Sequence, residues 1–381
     1  MSNSPKRLHF IDWARSIAII LMLQGHFITA TFQNYSALKF KVITQGTSGN
    51  FIFDFWVQLR GLTAPLFFTI TGLIFVFLLV KKQYDNPFKN PRVKKGLRRA
   101  IQVIIIGYML QLNIKNIPYY LSGKINDRFF AFHVLQSIGF GILVIILIYI
   151  LSSYIKKIPL VIYLFVLAII IFGLKSYLKG MGSAYFPSNA PAIIQNIFHG
   201  EHSIFPISPW VGYILSGGVL GAIFGKYESQ IHSKSFWYKF LIIAVCCLLT
   251  LRILFHVFGI YFFTEEFSAS GYSFITLIKI VTLLTILILI DTKFKFTEGL
   301  FSAMGQDTLI IYVLHTMVLY GAFIGIGLNT YFSKSLSGME AIFGAVLFVV
   351  LFAFIIKLKP GIDKKINSLK EKIRLTLKRK G

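Results

Sequence analysis

The chain has 381 residues, 56% of them hydrophobic and only 14% charged, with a mean hydropathy of +0.72. A soluble chain carries roughly a quarter charged residues, and the recurrence here of apolar runs of about 18 residues or more excludes an ordinary soluble domain. The formal charge of +25 raises the question of nucleic acid, but the lysines and arginines gather between the apolar runs, so that partner is excluded too.

Taken in chain order, spans are predicted at 13–33, 61–80, 98–113, 133–151, 158–174, 208–225, 237–256, 272–290, 304–323 and 340–357. The expected fold is all-α, a polytopic membrane bundle of about ten transmembrane helices. Residues 1–360 form the membrane domain and 361–381 a basic amphipathic tail. The third span is short and suits a tilted or re-entrant helix. No cleavable signal peptide is expected, because no small-residue cleavage pattern follows the first apolar run. Cys246 and Cys247 are adjacent within an apolar run, where a disulfide would be strained, so both read as thiols.

The connection at 81–99 carries Lys81, Lys82, Lys89, Arg92, Lys94, Lys95, Arg98 and Arg99. Lys156 and Lys157, Lys226 and Lys234, and Lys293 and Lys295 occupy later connections on the same side. The opposite loops hold Asp54, Asp127, Glu201, Glu265 and Glu266. The positive-inside rule then places both termini in the cytoplasm. Most of this charge orients the chain and attracts anionic membrane lipid. A sharper reading gives 81–99 a phosphorylated cytosolic ligand as well. In the tail, a proline-glycine break precedes Ile362, Ile366, Leu369, Ile373 and Leu375 among lysines, the pattern of a helix lying on the membrane surface.

The unusual residues begin in the first span, where RSIAIILMLQGH joins Arg15 to His26. At about 1.5 Å per residue, His26 lies roughly 20 Å into the membrane while Arg15 stays near its cytoplasmic boundary. At about 100° per residue the two share a helical face, with Asp12 close by. Arg15 can snorkel, and Asp12 can cap the helix or pair with Arg15. An intramembrane ionisable group faces a cavity or the bundle interior, so His26 is a candidate for chemistry or for a structural hydrogen bond.

Other polar residues gather near the outer face. Trp56 and Arg60 precede the second span, and Asn126, Asp127, Arg128 and His133 lead into the fourth. The fifth-to-sixth connection holds His199, Glu201 and His202, and Arg252 and His256 end the seventh span. The ninth span brings Gln306 and Asp307 near its cytoplasmic start and His315 to mid-depth. HGEH lacks the i, i+4 histidine pair of a common metallohydrolase motif, so no metal is expected and an outer loop that meets an acceptor is preferred. GGVLGAIFG is small-residue packing material. His9 and His232 receive no role.

A polar interior lined by the first and ninth spans joins the two faces. An imidazole there can remove a hydroxyl or amine proton as an acceptor attacks, or take an acyl group itself. An acyl thioester suits the basic cytosolic side, which can receive its phosphates.

These residues resemble a known family. RLHFIDWARSIAIILMLQGH is similar to the opening of the membrane acyltransferase superfamily, with its arginine, ten residues and histidine. LRGLTAPLFFTITG, FHVLQSIGFGIL, SPWVGYILSGGVLGAIFG and MGQDTLIIYVLH resemble successive motifs of the heparan-alpha-glucosaminide N-acetyltransferase-like family and its bacterial relatives. The resemblance implies acetyl-CoA or another acyl-CoA as cytosolic co-substrate, a sugar or envelope glycan acceptor on the other side, and a place in the bacterial cytoplasmic membrane. It marks Arg15 and His26 from the superfamily motif, and adds Arg60, Gln136 and His315. The lysosomal branch has its histidine in the first outer loop, where residues 33–55 here have none, so His26 takes that part and O-acylation stands beside N-acylation.

The leading expectation is therefore an acyltransferase with His26, Arg15, His315 and His133 in its catalytic set. Asp12, Arg60, Gln136, Arg98, Arg99, Asp307, His199 and His202 are its expected binding residues. Two alternatives stay open on the sequence alone: a transporter or flippase of an envelope metabolite, and a non-catalytic partner in envelope assembly. Gly217, Gly218 and Gly221 suit packing either within one chain or in a homo-oligomer.

Overall fold

The computed structural model describes residues 9–123, 127–155, 157–181, 190–198, 202–228, 230, 233–258, 265–294 and 297–380. These residues are all-α, apart from two isolated bridges. In chain order the helices are α1 (His9–Thr31), α2 (Tyr35–Gln45), α3 (Phe51–Gly61), α4 (Thr63–Val80), α5 (Pro91–Gln111) and α6 (Ile117–Leu121). Then follow α7 (Val134–Tyr154), α8 (Leu160–Met181), α9 (Ala192–Phe198), α10 (Ile207–Lys226) and α11 (Lys234–Phe258). The chain ends with α12 (Glu265–Phe294), α13 (Leu300–Gln306), α14 (Thr308–Tyr320), α15 (Leu328–Phe332) and α16 (Gly338–Lys380).

A helix lies at each of the ten predicted spans, but the count of ten is corrected. Among the described residues, six helices are long and apolar enough to cross a membrane: His9–Thr31, Phe51–Val80, Val134–Tyr154, Ile207–Lys226, Gly271–Phe294 and Gly338–Ser368. Leu160–Lys175 and Thr308–Tyr320 are apolar but shorter. α5 has Arg92, Lys94, Lys95, Arg98 and Arg99 in its first half, so only its second half is apolar. The chain is a multi-pass membrane protein.

Local chemistry sets several helix ends. Asn90 begins α5 by accepting from the Arg92 amide (2.9 Å), with Pro91 in the first turn, where a missing N–H is no loss. The same Asn90 amide donates to the Leu79 carbonyl and the Tyr149 hydroxyl, both at 3.1 Å, which fastens this turn to α4 and α7. Asn50 begins α3 by accepting from the Phe53 amide at 3.1 Å. The predicted break at Pro360 and Gly361 is also corrected, because α16 continues through both. At 43 residues it is roughly 65 Å long, about twice the hydrocarbon thickness, so part of it stands outside the membrane.

α10 packs against α4 and α8, α5 against α7, and α1 against α13 and α16. The α4–α10 contact is made backbone to backbone. A Cβ on Gly217 would lie 1.9 Å from the Thr69 carbonyl oxygen, and one on Gly221 would lie 2.2 Å from that of Leu73. A Gly218 Cβ would meet Val76 at 3.1 Å. This small-residue face is spent within the chain.

Two apolar clusters result. Phe68, Leu73, Ile145, Phe172, Ile214 and Trp237 belong to the larger one; Leu23, Phe27, Ile311, Phe348 and Phe352 belong to the second. α1 bridges them, giving Ala14 and Ala18 to the first and Ile19 and Leu23 to the second. A deep chamber opens beside that bridging helix.

Candidate active site

A cavity of about 1350 Å³ runs along α1. Arg15, Ile19, Met22, His26 and Thr29 line it in succession, which is a path of roughly 20 Å at helical rise. Its other walls bring Tyr35, Arg60, Thr63 and Phe67 from α2 to α4, Arg99 from α5, Lys279 from α12, and Thr308, Tyr312 and Tyr320 from α14. The chamber therefore spans most of the length of the first membrane helix, with a cation at each end.

His26 sits on this wall, half-buried. Its Nδ1 lies 2.8 Å from the Tyr320 hydroxyl, and the two rings meet edge to face. The His315 ring is 5.3 Å away between centroids. His315 is fully buried, with Nδ1 3.2 Å from the Ile311 carbonyl oxygen and the Tyr312 ring against it at 5.2 Å. When that Nδ1 donates to the carbonyl, Nε2 is an acceptor, and Nε2 has no hydrogen-bond partner among the described residues.

Arg60 ends α3 and reaches back toward α1. A Cβ on Gly25 would stand 2.8 Å from Arg60 Nε, so the guanidinium stem lies against the residue before His26. Arg60 donates to the Tyr35 hydroxyl. Trp56, one turn earlier, donates from its indole to the Gln24 side chain at 2.6 Å. These bonds hold α3 to α1 on either side of the imidazole.

At the other end, Asp12 is buried, 3.9 Å from Arg15 and 3.4 Å from the Gln306 amide that donates to it. Ser16 donates to the Asp12 carbonyl (2.9 Å) and to that of Phe301. Arg99 faces the chamber from α5 and donates to Gln102 at 3.3 Å.

Several expected site residues lie elsewhere. His133 precedes α7 and is half-buried but does not line the chamber, and Arg98 does not line it either. Gln136 is fully buried against Gly107, with neither amide atom partnered among the described residues. Asp307 forms an ion pair with Lys359 of α16. His202 lies outside the chamber, and His199 falls outside the described residues, as do Glu201 and His232.

Sequence reading passed over Tyr35, Lys39, Lys279, Tyr312 and Tyr320, all of which line the chamber. Lys279 carried a usable signal, a charge inside a predicted span. Nothing distinguishes the tyrosines among the chain's eighteen.

The chamber thus combines a held imidazole with cations at both ends, which suits transfer of a group from a phosphorylated donor. Comparison with curated proteins returns no match. The profile of one family, described as heparan-alpha-glucosaminide N-acetyltransferase, catalytic, matches residues 7–255. That stretch is well over half of the chain and contains Arg15, His26, Arg60 and Arg99. The chain belongs to the heparan-alpha-glucosaminide N-acetyltransferase catalytic family.

Proposed function

We propose that His26 carries the transfer step inside the α1 chamber. Family membership makes the protein an acyl-CoA-dependent acetyltransferase that acts on a sugar or glycan group. In our reading acetyl-CoA enters from the cytoplasm, where the lysine-rich connections lie, and its phosphates meet Arg15, Arg99 and Lys279. The acceptor enters at the Tyr35 and Arg60 end, on the outer side of the cytoplasmic membrane. Residues 361–381 remain on the cytoplasmic side, against anionic lipid.

The chemistry is a nucleophilic acyl substitution. With Nδ1 carrying a proton toward Tyr320, Nε2 of His26 accepts the proton of the acceptor hydroxyl or amine. The acceptor oxygen or nitrogen bonds to the thioester carbonyl carbon, the C–S bond breaks, and the thiolate takes the proton back from the imidazolium. Direct attack by His26 on the thioester, followed by hand-over to the acceptor, needs the same ring in the same place. Neither route needs a metal.

The observation that carries this reading is the placement of His26 on the chamber wall, oriented by Tyr320 and beside His315. Mass spectrometry of envelope glycans from cells with and without the gene tests it. An acyl mass that disappears with the gene and returns with wild type, but not with His26→Ala, is the expected result. Restoration by His26→Ala would remove His26 from the mechanism.

A further inference from the structure

At the Tyr35 end of the chamber, which Lys39 and Arg60 line and Lys334 adjoins through the Tyr35 ring, three cations from three separate elements lie within about 6 Å of that ring's centroid. The Arg60 guanidinium from α3 is 5.6 Å from the Tyr35 centroid, the Lys39 ammonium from α2 is 5.9 Å away, and the Lys334 ammonium is 4.8 Å away. Lys334 arrives from the far end of the chain. The segment after α15 pairs with the end of α1: the Lys334 amide donates to Ala30 O (3.1 Å) and the Leu336 amide to Thr31 O (3.0 Å). Those carbonyls belong to the last turn of a helix and lack helical partners of their own.

This arrangement has a local penalty. Lys334 adopts φ of 52°, a left-handed backbone that side chains disfavour. Its ammonium donates to Thr29 O and lies over Tyr35. Partial burial, Arg60 and Lys39 together hold it below the usual lysine pKa, against the pull of Tyr35. A tyrosine face answers only part of three like charges. Among the described residues no carboxylate pairs with any of the three. Asp54 of α3 is engaged by Thr47 and Ser48 at 2.5 and 2.9 Å, and Glu340 accepts from the Ser337 amide at 2.8 Å. The complement of such a set is an anion, and the Arg60 fork suits a phosphate oxygen pair.

We propose that Lys39, Arg60 and Lys334, gathered around Tyr35, form a binding site for a phosphate group borne by the acceptor. The acceptor is then a phosphorylated glycan, anchored at its phosphate beside the imidazole that activates it. Arg60 touches both parts, since its stem packs on Gly25 next to His26. Lys334 lies beyond residue 255, where the family match ends, so this third charge comes from outside the matched residues. The word acceptor rests on the acyl-transfer reading; the anion site rests on geometry alone.

The test uses the full chain in nanodiscs of phosphatidylcholine, titrated with inorganic phosphate against chloride at equal ionic strength. Trp56 lies 5.7 Å from Arg60, so tryptophan fluorescence reports the site and Trp56→Phe checks the source of the signal. A saturable response is expected, with its midpoint raised at least about tenfold in Lys334→Gln, largely kept in Lys334→Arg, and unchanged in Lys41→Gln on the exposed face of α2. No saturable response, or equal behaviour of Lys334→Gln and Lys41→Gln, would overturn the site. A second set of discs contains phosphatidylglycerol. A response confined to the phosphatidylcholine discs would mean that lipid headgroups fill the site, which overturns the acceptor assignment. Turnover completes the comparison: glucosamine 6-phosphate should exceed glucosamine in kcat/KM at least about tenfold in wild type, and the two should converge in Lys334→Gln. Equal kcat/KM for the two sugars in wild type would also overturn the acceptor assignment. If neither sugar is acylated while the phosphate titration stands, the acyl-transfer reading fails and the anion site survives.

Discussion

The Nδ1 atom of His26 lies 2.8 Å from the Tyr320 hydroxyl, although 294 residues separate the two in sequence. The bond joins α1 to the last turn of α14 and fixes the direction in which the imidazole presents its other nitrogen to the chamber. Tyr320→Phe keeps the ring and removes the hydroxyl. It should lower kcat about tenfold with KM nearly unchanged, because it loosens the orientation of the base and not the binding of substrate. Steady-state kinetics with a parallel melting curve checks this, and the melting temperature should hold within a few degrees.

Arg99 faces the same chamber from α5. If it receives a donor phosphate, Arg99→Gln should raise KM for acyl-CoA about tenfold. An acyl-pantetheine thioester, which has no phosphate, should be used equally by wild type and variant. Equal losses with both donors would mean that Arg99 acts through packing.

Gly25 leaves room for the Arg60 stem, and an added Cβ would lie 2.8 Å from Nε. Gly25→Ala should push the guanidinium away from Tyr35 and raise KM for the acceptor several-fold, with KM for acyl-CoA unaffected. Substrate-by-substrate kinetics on the purified variant separates the two effects.

Gly217 sets how closely α10 approaches α4. Its Cβ would fall 1.9 Å from the Thr69 carbonyl oxygen, a backbone atom with no rotamer to change. Gly217→Ala forces α4 and α10 apart, and overpacking of this kind costs about 1–3 kcal/mol or more. The variant should melt several degrees lower or fail to accumulate. A Cβ on Gly173 of α8 meets nothing within 4 Å, so Gly173→Ala should show no such loss.

Hydropathy made the helices legible, since each predicted span falls on a helix, and the Arg15–His26 spacing located the chamber wall. Span count was less legible, because a run of apolar residues does not reveal how long the folded helix is: α14 ends at Gly321, a glycine in the left-handed region at φ 69°. Pro360 misled for a related reason. Losing one backbone hydrogen bond did not end α16, whose turns on either side remain regular. Within the site, Arg15, His26 and Arg99 of the predicted spans were found, while Lys279 and the tyrosines were not. A tyrosine's ring suits lipid, core and active site alike, and only the fold brings Tyr320 to His26. Lys334 had no local signal at all, because its position depends on a loop that returns to the end of α1.

The central claim is that the His26 ring takes part in acyl transfer. The most direct measurement is single-turnover transfer of isotopically labelled acetyl from acetyl-CoA to a sugar acceptor, by wild type and His26→Ala reconstituted in liposomes, with melting temperatures recorded alongside. The rate constant of the variant should fall by about 10²–10⁴-fold while its melting temperature stays close to that of wild type. A folded His26→Ala protein that transfers acetyl at a near wild-type rate would contradict the account.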